Sequence, residues 1–167
     1  ELAESLNAPI ILSPGHGDAI PHGHPLNLGQ MGPRGNEVAS RIAKEADVIL
    51  ALGTRLGFNS TFYSYDNINS DADIIQIELE PTAIGRYFPI RLGIWADARA
   101  AARQLASALK KVEVREEVAA WARSYIDERA AYIAQRDSDA DAREAPIQPS
   151  GLYRVLRRVL PKNAIVT

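Results

Sequence analysis

Four short apolar runs punctuate the chain: Ile10-Ile11-Leu12, Val48-Ile49-Leu50-Ala51-Leu52, Ile74-Ile75-Gln76-Ile77-Glu78-Leu79 and Leu92-Gly93-Ile94-Trp95-Ala96. Runs that are apolar on both faces need cover from both sides, which a parallel sheet flanked by helices provides. The intervening segments suit that reading. Asn36 can cap a helix on which Val38, Ala39, Ile42, Ala43 and Ala46 recur on one face, and Asp97 can cap a second from Ala98 to Lys111. Pro81 is placed for a helix first turn. Strands alternating with helices predict a doubly wound, mainly parallel α/β fold of the Rossmann-like type, with right-handed crossovers and Val48 to Leu52 as a central strand.

The stretch from Pro14 to Gly35 holds six of the 11 glycines, four of the ten prolines and all three histidines, and reads as one long loop. Residues 54 to 70 show no clear period. Beyond Lys111 a charged helix is expected over 114 to 136, with a stripe of Val118, Trp121, Tyr125 and Tyr132 lying against a body rather than entering a core. Asp137 to Glu144 reads as a solvated acidic linker that Pro146 and Pro149 extend. Ser150 would then cap an amphipathic helix carrying Leu152, Val155, Leu156, Val159 and Leu160. The organisation expected is a domain over 1–111, a helix and linker over 112–149, and the start of a further domain over 150–167. Glu1 falls in what reads as the end of a helix, and Ile165-Val166-Thr167 as the start of a strand, so the chain is expected to be a piece of something longer, truncated at its N-terminus.

Composition narrows the chemistry. The 19 basic and 21 acidic side chains give a net charge of −2, which offers no electrostatic case for a nucleic-acid or anionic-membrane partner. With no cysteine, thiol catalysis and thiolate metal sites are excluded; the same absence fits a reducing, cytoplasmic setting. No run reaches the 18 or so apolar residues of a membrane span.

Three groups of residues could carry function. His16, His22 and His24 with Asp18 could be drawn as a metal site, but loop histidines without helical spacing more often bond locally, and no metal site is expected. Gly29, Gly32 and Gly35 lead into a helix, where backbone amides can approach an anion; the spacing matches neither dinucleotide nor phosphate-loop motifs, so phosphate contact and turn geometry both stand. Gly53, Arg55, Glu78, Glu80 and Asp97 follow three predicted parallel strands at their carboxyl ends, where open α/β sheets bind ligands. There an arginine can pair with phosphate and carboxylates can accept from ribose hydroxyls. The ordinary reading pairs Arg55 with Glu78 or Glu80 and makes Asp97 a helix cap. Ser13 lacks a nucleophile elbow, so no catalytic residue is expected.

Taken in order, five blocks resemble the central domain of thiamine-diphosphate-dependent enzymes of the acetolactate synthase type. They are Ala8-Pro9-Ile10 with His24-Pro25-Leu26; Leu28-Gly29-Gln30-Met31-Gly32-Pro33-Arg34-Gly35-Asn36; Ala46 through Arg55; Ile74 through Pro81 with Ile84-Gly85; and Ala96-Asp97-Ala98. The wording of Gly53-Thr54-Arg55-Leu56-Gly57 and Ile75-Gln76-Ile77 is most similar to the sulfoacetaldehyde acetyltransferase branch. The resemblance implies a parent lyase or transferase acting on a 2-oxo acid or related carbonyl substrate, whose thiamine diphosphate and magnesium are held by domains outside this chain. It further implies a homodimer or tetramer, contacts with the parent's other domains, and FAD or ADP as ligands that some central domains take. Two departures bear on FAD. Leu56-Gly57-Phe58-Asn59 replaces the arginine and acidic pair common after Arg55, and Glu78 and Glu80 stand where aspartates are usual. The family's first central-domain strand would precede Glu1. A free-standing nucleotide-binding module is the alternative.

Overall fold

The structure, a computed structural model, describes residues 1–141, 146–161 and 163–165, with the backbone alone at 141. It divides into two compact units, Glu1–Ile126 and Asp127–Thr167.

In the first unit, helix α1 (Leu2–Leu6) leads into strand β1 (Ile10–Leu12), and β2 (Asn27–Gln30) pairs with β1 in parallel. Helix α2 (Glu37–Glu45) follows, then β3 (Val48–Leu52), the short α3 (Phe58–Thr61), β4 (Asp73–Glu78), a 3₁₀ turn at Pro81–Ala83, β5 (Leu92–Trp95) and α4 (Ala98–Ala108). Every ladder is parallel, as the apolar runs predict, but the strands form two sheets, β1-β2 and β3-β4-β5.

Several expectations need correcting. The loop from Pro14 to Gly35 is interrupted by β2, whose Asn-Leu-Gly-Gln sequence carries too few apolar residues to read as a strand. What commits it is burial, since Leu26 and Leu28 are both in the core. The central strand of the larger ladder is β4; β3 lies at its edge, with Val48 and Leu52 exposed. Pro81 opens a single 3₁₀ turn, and α4 stops at Ala108.

Helix α2 forms where expected. The Asn36 side chain accepts the Ala39 N–H at 2.9 Å, and Val38, Ala39, Ile42 and Ala43 are buried. A second apolar cluster, Ala51, Leu56, Ile68, Ile74 and Phe88, is formed by β3, β4 and the connections that follow them. Helix α5 (Glu116–Asp141) begins in this unit. Of the stripe expected to lie against a body, Tyr125 is buried, Trp121 half-buried and Val118 exposed, and Ala122, between Trp121 and Tyr125, is buried too.

In the second unit α5 continues to Asp141, and α6 (Pro149–Val159) follows. The residues 137–141 of the expected linker are thus helical, while 142–144 lie outside the described residues. Ser150 does not cap α6. It sits inside the helix, and Gln148 takes the N-cap position without a side-chain bond. Arg154 on α6 reaches back to the Asp137 carboxylate at 3.6 Å, tying α6 to the end of α5. Of the strand expected to start over 165–167, Ile165 is in no strand, and 166 and 167 lie outside the described residues.

Candidate functional site

Because β3, β4 and β5 run in parallel and in that order, the residues following them emerge along one edge. Leu52 is in register with Ile77, and Glu78 with Trp95. Gly53, Arg55, Glu78, Glu80 and Asp97 therefore share a rim. The Gly53 N–H continues the ladder to the Ile77 carbonyl at 2.8 Å before the chain turns away at φ 61°. That conformation, and the closeness of Ala98 in α4, favour glycine there.

The rim carboxylates are engaged by their own backbone. Glu78 Oε1 accepts the Leu79 N–H at 2.9 Å and the Glu80 N–H at 3.3 Å. Glu80 Oε1 caps the 3₁₀ turn, accepting from the Thr82 N–H at 3.2 Å and the Thr82 hydroxyl at 2.9 Å. These bonds hold the Glu80 carboxyl below its ordinary range, and the nearby charge of exposed Arg55 adds a smaller pull in the same direction. Asp97 Oδ1 accepts the Ala100 N–H at 2.8 Å as the N-cap of α4.

The glycine series lies apart, at the end of the other ladder. Gly29 donates its N–H to Asn27 Oδ1 at 2.9 Å, Gly32 to Ser40 Oγ at 3.2 Å, and Gly35 to the Gly32 carbonyl at 2.8 Å. A methyl group on Gly32, which has φ 89°, would collide with the Asn59 carbonyl oxygen, and one on Gly35 with that of Gln30. The close approach these glycines permit is thus to neighbouring protein backbone. A direct bond among the described residues ties this half to the rim: Ser13 Oγ, just past β1, lies 2.8 Å from Thr54 Oγ1, just past β3.

The residue organising the rim from below is Gln76, which reading for charged and nucleophilic groups overlooked. It is buried in β4. Its Nε2 donates to the Thr54 carbonyl at 3.0 Å and the Ala83 carbonyl at 3.4 Å, and its Oε1 accepts the Gly85 N–H at 2.8 Å. One side chain thereby fixes the turns after β3 and β4. A signal was present, since an amide within Ile74-Ile75-Gln76-Ile77 must find partners if the run is buried. Of the histidine group, His24 Nε2 meets Glu4 Oε1, on α1, at 3.2 Å and its Nδ1 accepts the Leu26 N–H at 3.2 Å.

Residues 1–105 match the thiamine pyrophosphate enzyme central domain. The chain belongs to that family. Among curated relatives, a sulfoacetaldehyde acetyltransferase of Roseovarius nubinhibens is 33% identical across the whole chain and 30% of its own length. The enzyme of the same name from Rhodobacter capsulatus is 34% identical over 99% of the chain and 31% of its own length. A probable acetolactate synthase large subunit of Methanocaldococcus jannaschii is 28% identical over 99% of the chain and 28% of its length. The central domain described here thus spans about 30% of the length of these relatives. Its parallel strands are the fold that the resemblance implies.

Thiamine diphosphate with magnesium needs anionic ligands free to face a metal ion. Glu78, Glu80 and Asp97 already accept from backbone N–H groups, and the glycine amides already donate. Each carboxylate commits only one of its two oxygens in this way. Among the described residues, however, no three histidine or acidic side chains are grouped so as to hold a metal ion, so the rim does not offer that group a magnesium site. Among the described residues no helix is long and apolar enough to cross a membrane.

Proposed function

We propose that the chain is the architectural middle domain of a thiamine-diphosphate-dependent, acetolactate-synthase-like protein, and that it performs no chemistry alone. The observation that carries this reading is the family match over residues 1–105, joined to relatives of about three times the chain's length. The parent is read as transferring an acyl group, or decarboxylating and ligating a 2-oxo acid or related carbonyl compound, with its cofactor and magnesium held by other domains. Such chemistry resides in the cofactor, while the protein binds and orients. The similarity to enzymes named sulfoacetaldehyde acetyltransferase favours acetyl transfer.

In this reading residues 1–111 form the domain proper, 112–149 the helix and linker, and 150–167 the opening of the diphosphate-binding domain. The other domains of a cytoplasmic homodimer or tetramer are its partners. Among the described residues β1 pairs only with β2, and β3 only with β4, leaving one edge of each strand open.

A free-standing FAD- or ADP-binding module is less well supported, because the rim carboxylates serve as local caps. Assaying the full-length parent with and without thiamine diphosphate tests the reading. Cofactor-dependent acetyl transfer with sulfoacetaldehyde, exceeding carboligation of 2-oxo acids, is the result expected. Activity indifferent to the cofactor would overturn it.

A further inference from the structure

Helix α2 buries Val38, Ala39, Ile42 and Ala43, which leaves Arg41 and Glu45, one turn apart, along its outer side. Arg41 Nε lies 3.5 Å from Glu45 Oε1. Onto this polar pair comes one residue of α5. The Tyr125 hydroxyl donates to Glu45 Oε2, the Arg41 guanidinium stands 5.3 Å from the centre of the Tyr125 ring, and Trp121 packs edge-on to the same ring at 5.2 Å. Burial, and the neighbouring carboxylate, raise the Tyr125 phenol above its ordinary pKa, so it remains the proton donor.

The rest of this stretch of α5 is loosely held. Between Glu116 and Ile126 only Ala122 and Tyr125 are buried, Val118 is exposed, and the Glu116–Arg123 ion pair joins α5 to itself. The attachment therefore rests on two buried side chains, one of them clasped by a polar contact on α2, in contrast to the four buried apolar side chains by which α2 meets the body. Elements held by few buried contacts open at free energies well below that of global unfolding.

We propose that the first three turns of α5 are a strap, held on α2 by the clasp of Tyr125 with Glu45 and Arg41, and that this strap opens as a unit while the parallel sheet stays folded. The clasp decides whether the helix by which the chain leaves its first unit is held to that unit.

Native-state hydrogen exchange on the full chain tests this. Tyr125→Phe keeps the ring and removes the hydroxyl. A hydrogen bond to a charged acceptor is worth about 1.5–3 kcal/mol, so exchange at residues 119–126 should quicken roughly tenfold or more. The β4 amides of Ile75 and Ile77 should not change. Glu45→Gln should accelerate the same segment, and the double variant should add little to Tyr125→Phe, because both break one interaction. Equal acceleration in α5 and β4 would overturn the proposal by making the contact part of the global fold. So would unchanged exchange in α5, or fully additive effects.

Discussion

Gln76 concentrates more of the rim's geometry than any charged residue there. Replacing it with leucine retains the volume of the site but removes the bonds to the Thr54 carbonyl and the Gly85 N–H, while the Ala83 carbonyl keeps the Arg86 N–H at 3.4 Å. With Thr54 half-buried and Gly85 open to water, Gln76→Leu should cost about 1–3 kcal/mol. Urea unfolding measures this as a lower midpoint at unchanged slope. The same change at exposed Gln104 on α4 should stay within about 0.5 kcal/mol. Equal costs at the two positions would contradict the role given to Gln76. Glu80 makes a different prediction. Its carboxyl is held below the ordinary value of 4.5, so the folded state binds that proton less readily than the unfolded chain. Its contribution to stability is complete above 4.5 and is lost as pH falls through the lowered folded value. An NMR titration of the Glu80 carboxyl carbon should show a midpoint below 4.5, moving upward in Thr82→Ala. A midpoint at or above 4.5 in the parent sequence would contradict the capping geometry.

At the scale of elements, α4 shows how a residue attractive as a ligand group serves as a terminator. Asp97→Ala should lower stability by about 1 kcal/mol, whereas Asp97→Asn, which still accepts from the Ala100 N–H, should cost little. Thermal unfolding of the two variants checks this, and similar losses would mean that the charge, not the cap, matters. The elements most legible in the sequence were those whose signals are local. Asn36 and Asp97 end loops with side chains made for caps, and β3 and β4 are runs of β-branched and aliphatic residues. What escaped depended on partners distant in sequence. Strand β2 has one apolar side chain, Leu28, to announce it, and it exists because Ile11 and Leu12 of β1 lie beside it. The depth of Tyr125 could not be read from its helix either, since Glu45 and Arg41 lie 80 or more residues earlier. Ser150 has the chemistry of a cap, yet α6 starts at Pro149, whose fixed φ and missing N–H suit a first turn.

For the whole molecule, the sharing of one rim by Gly53, Arg55, Glu78, Glu80 and Asp97 was legible from strand order alone, because parallel strands place every carboxyl end together. What those side chains do there was not legible, because the competition between a ligand and a residue's own backbone is settled by distances of a few tenths of an ångström. In the structure one oxygen of each carboxylate is bonded to its own backbone, and the proposed account of the chain as architecture takes these bonds as their role. Titration calorimetry of the chain with thiamine diphosphate and magnesium, and separately with FAD and ADP, tests that account most directly. The account predicts no saturable heat with any of them at millimolar ligand. Stoichiometric binding of any one, abolished by Glu78→Ala or Asp97→Ala in a variant that remains folded, would contradict it.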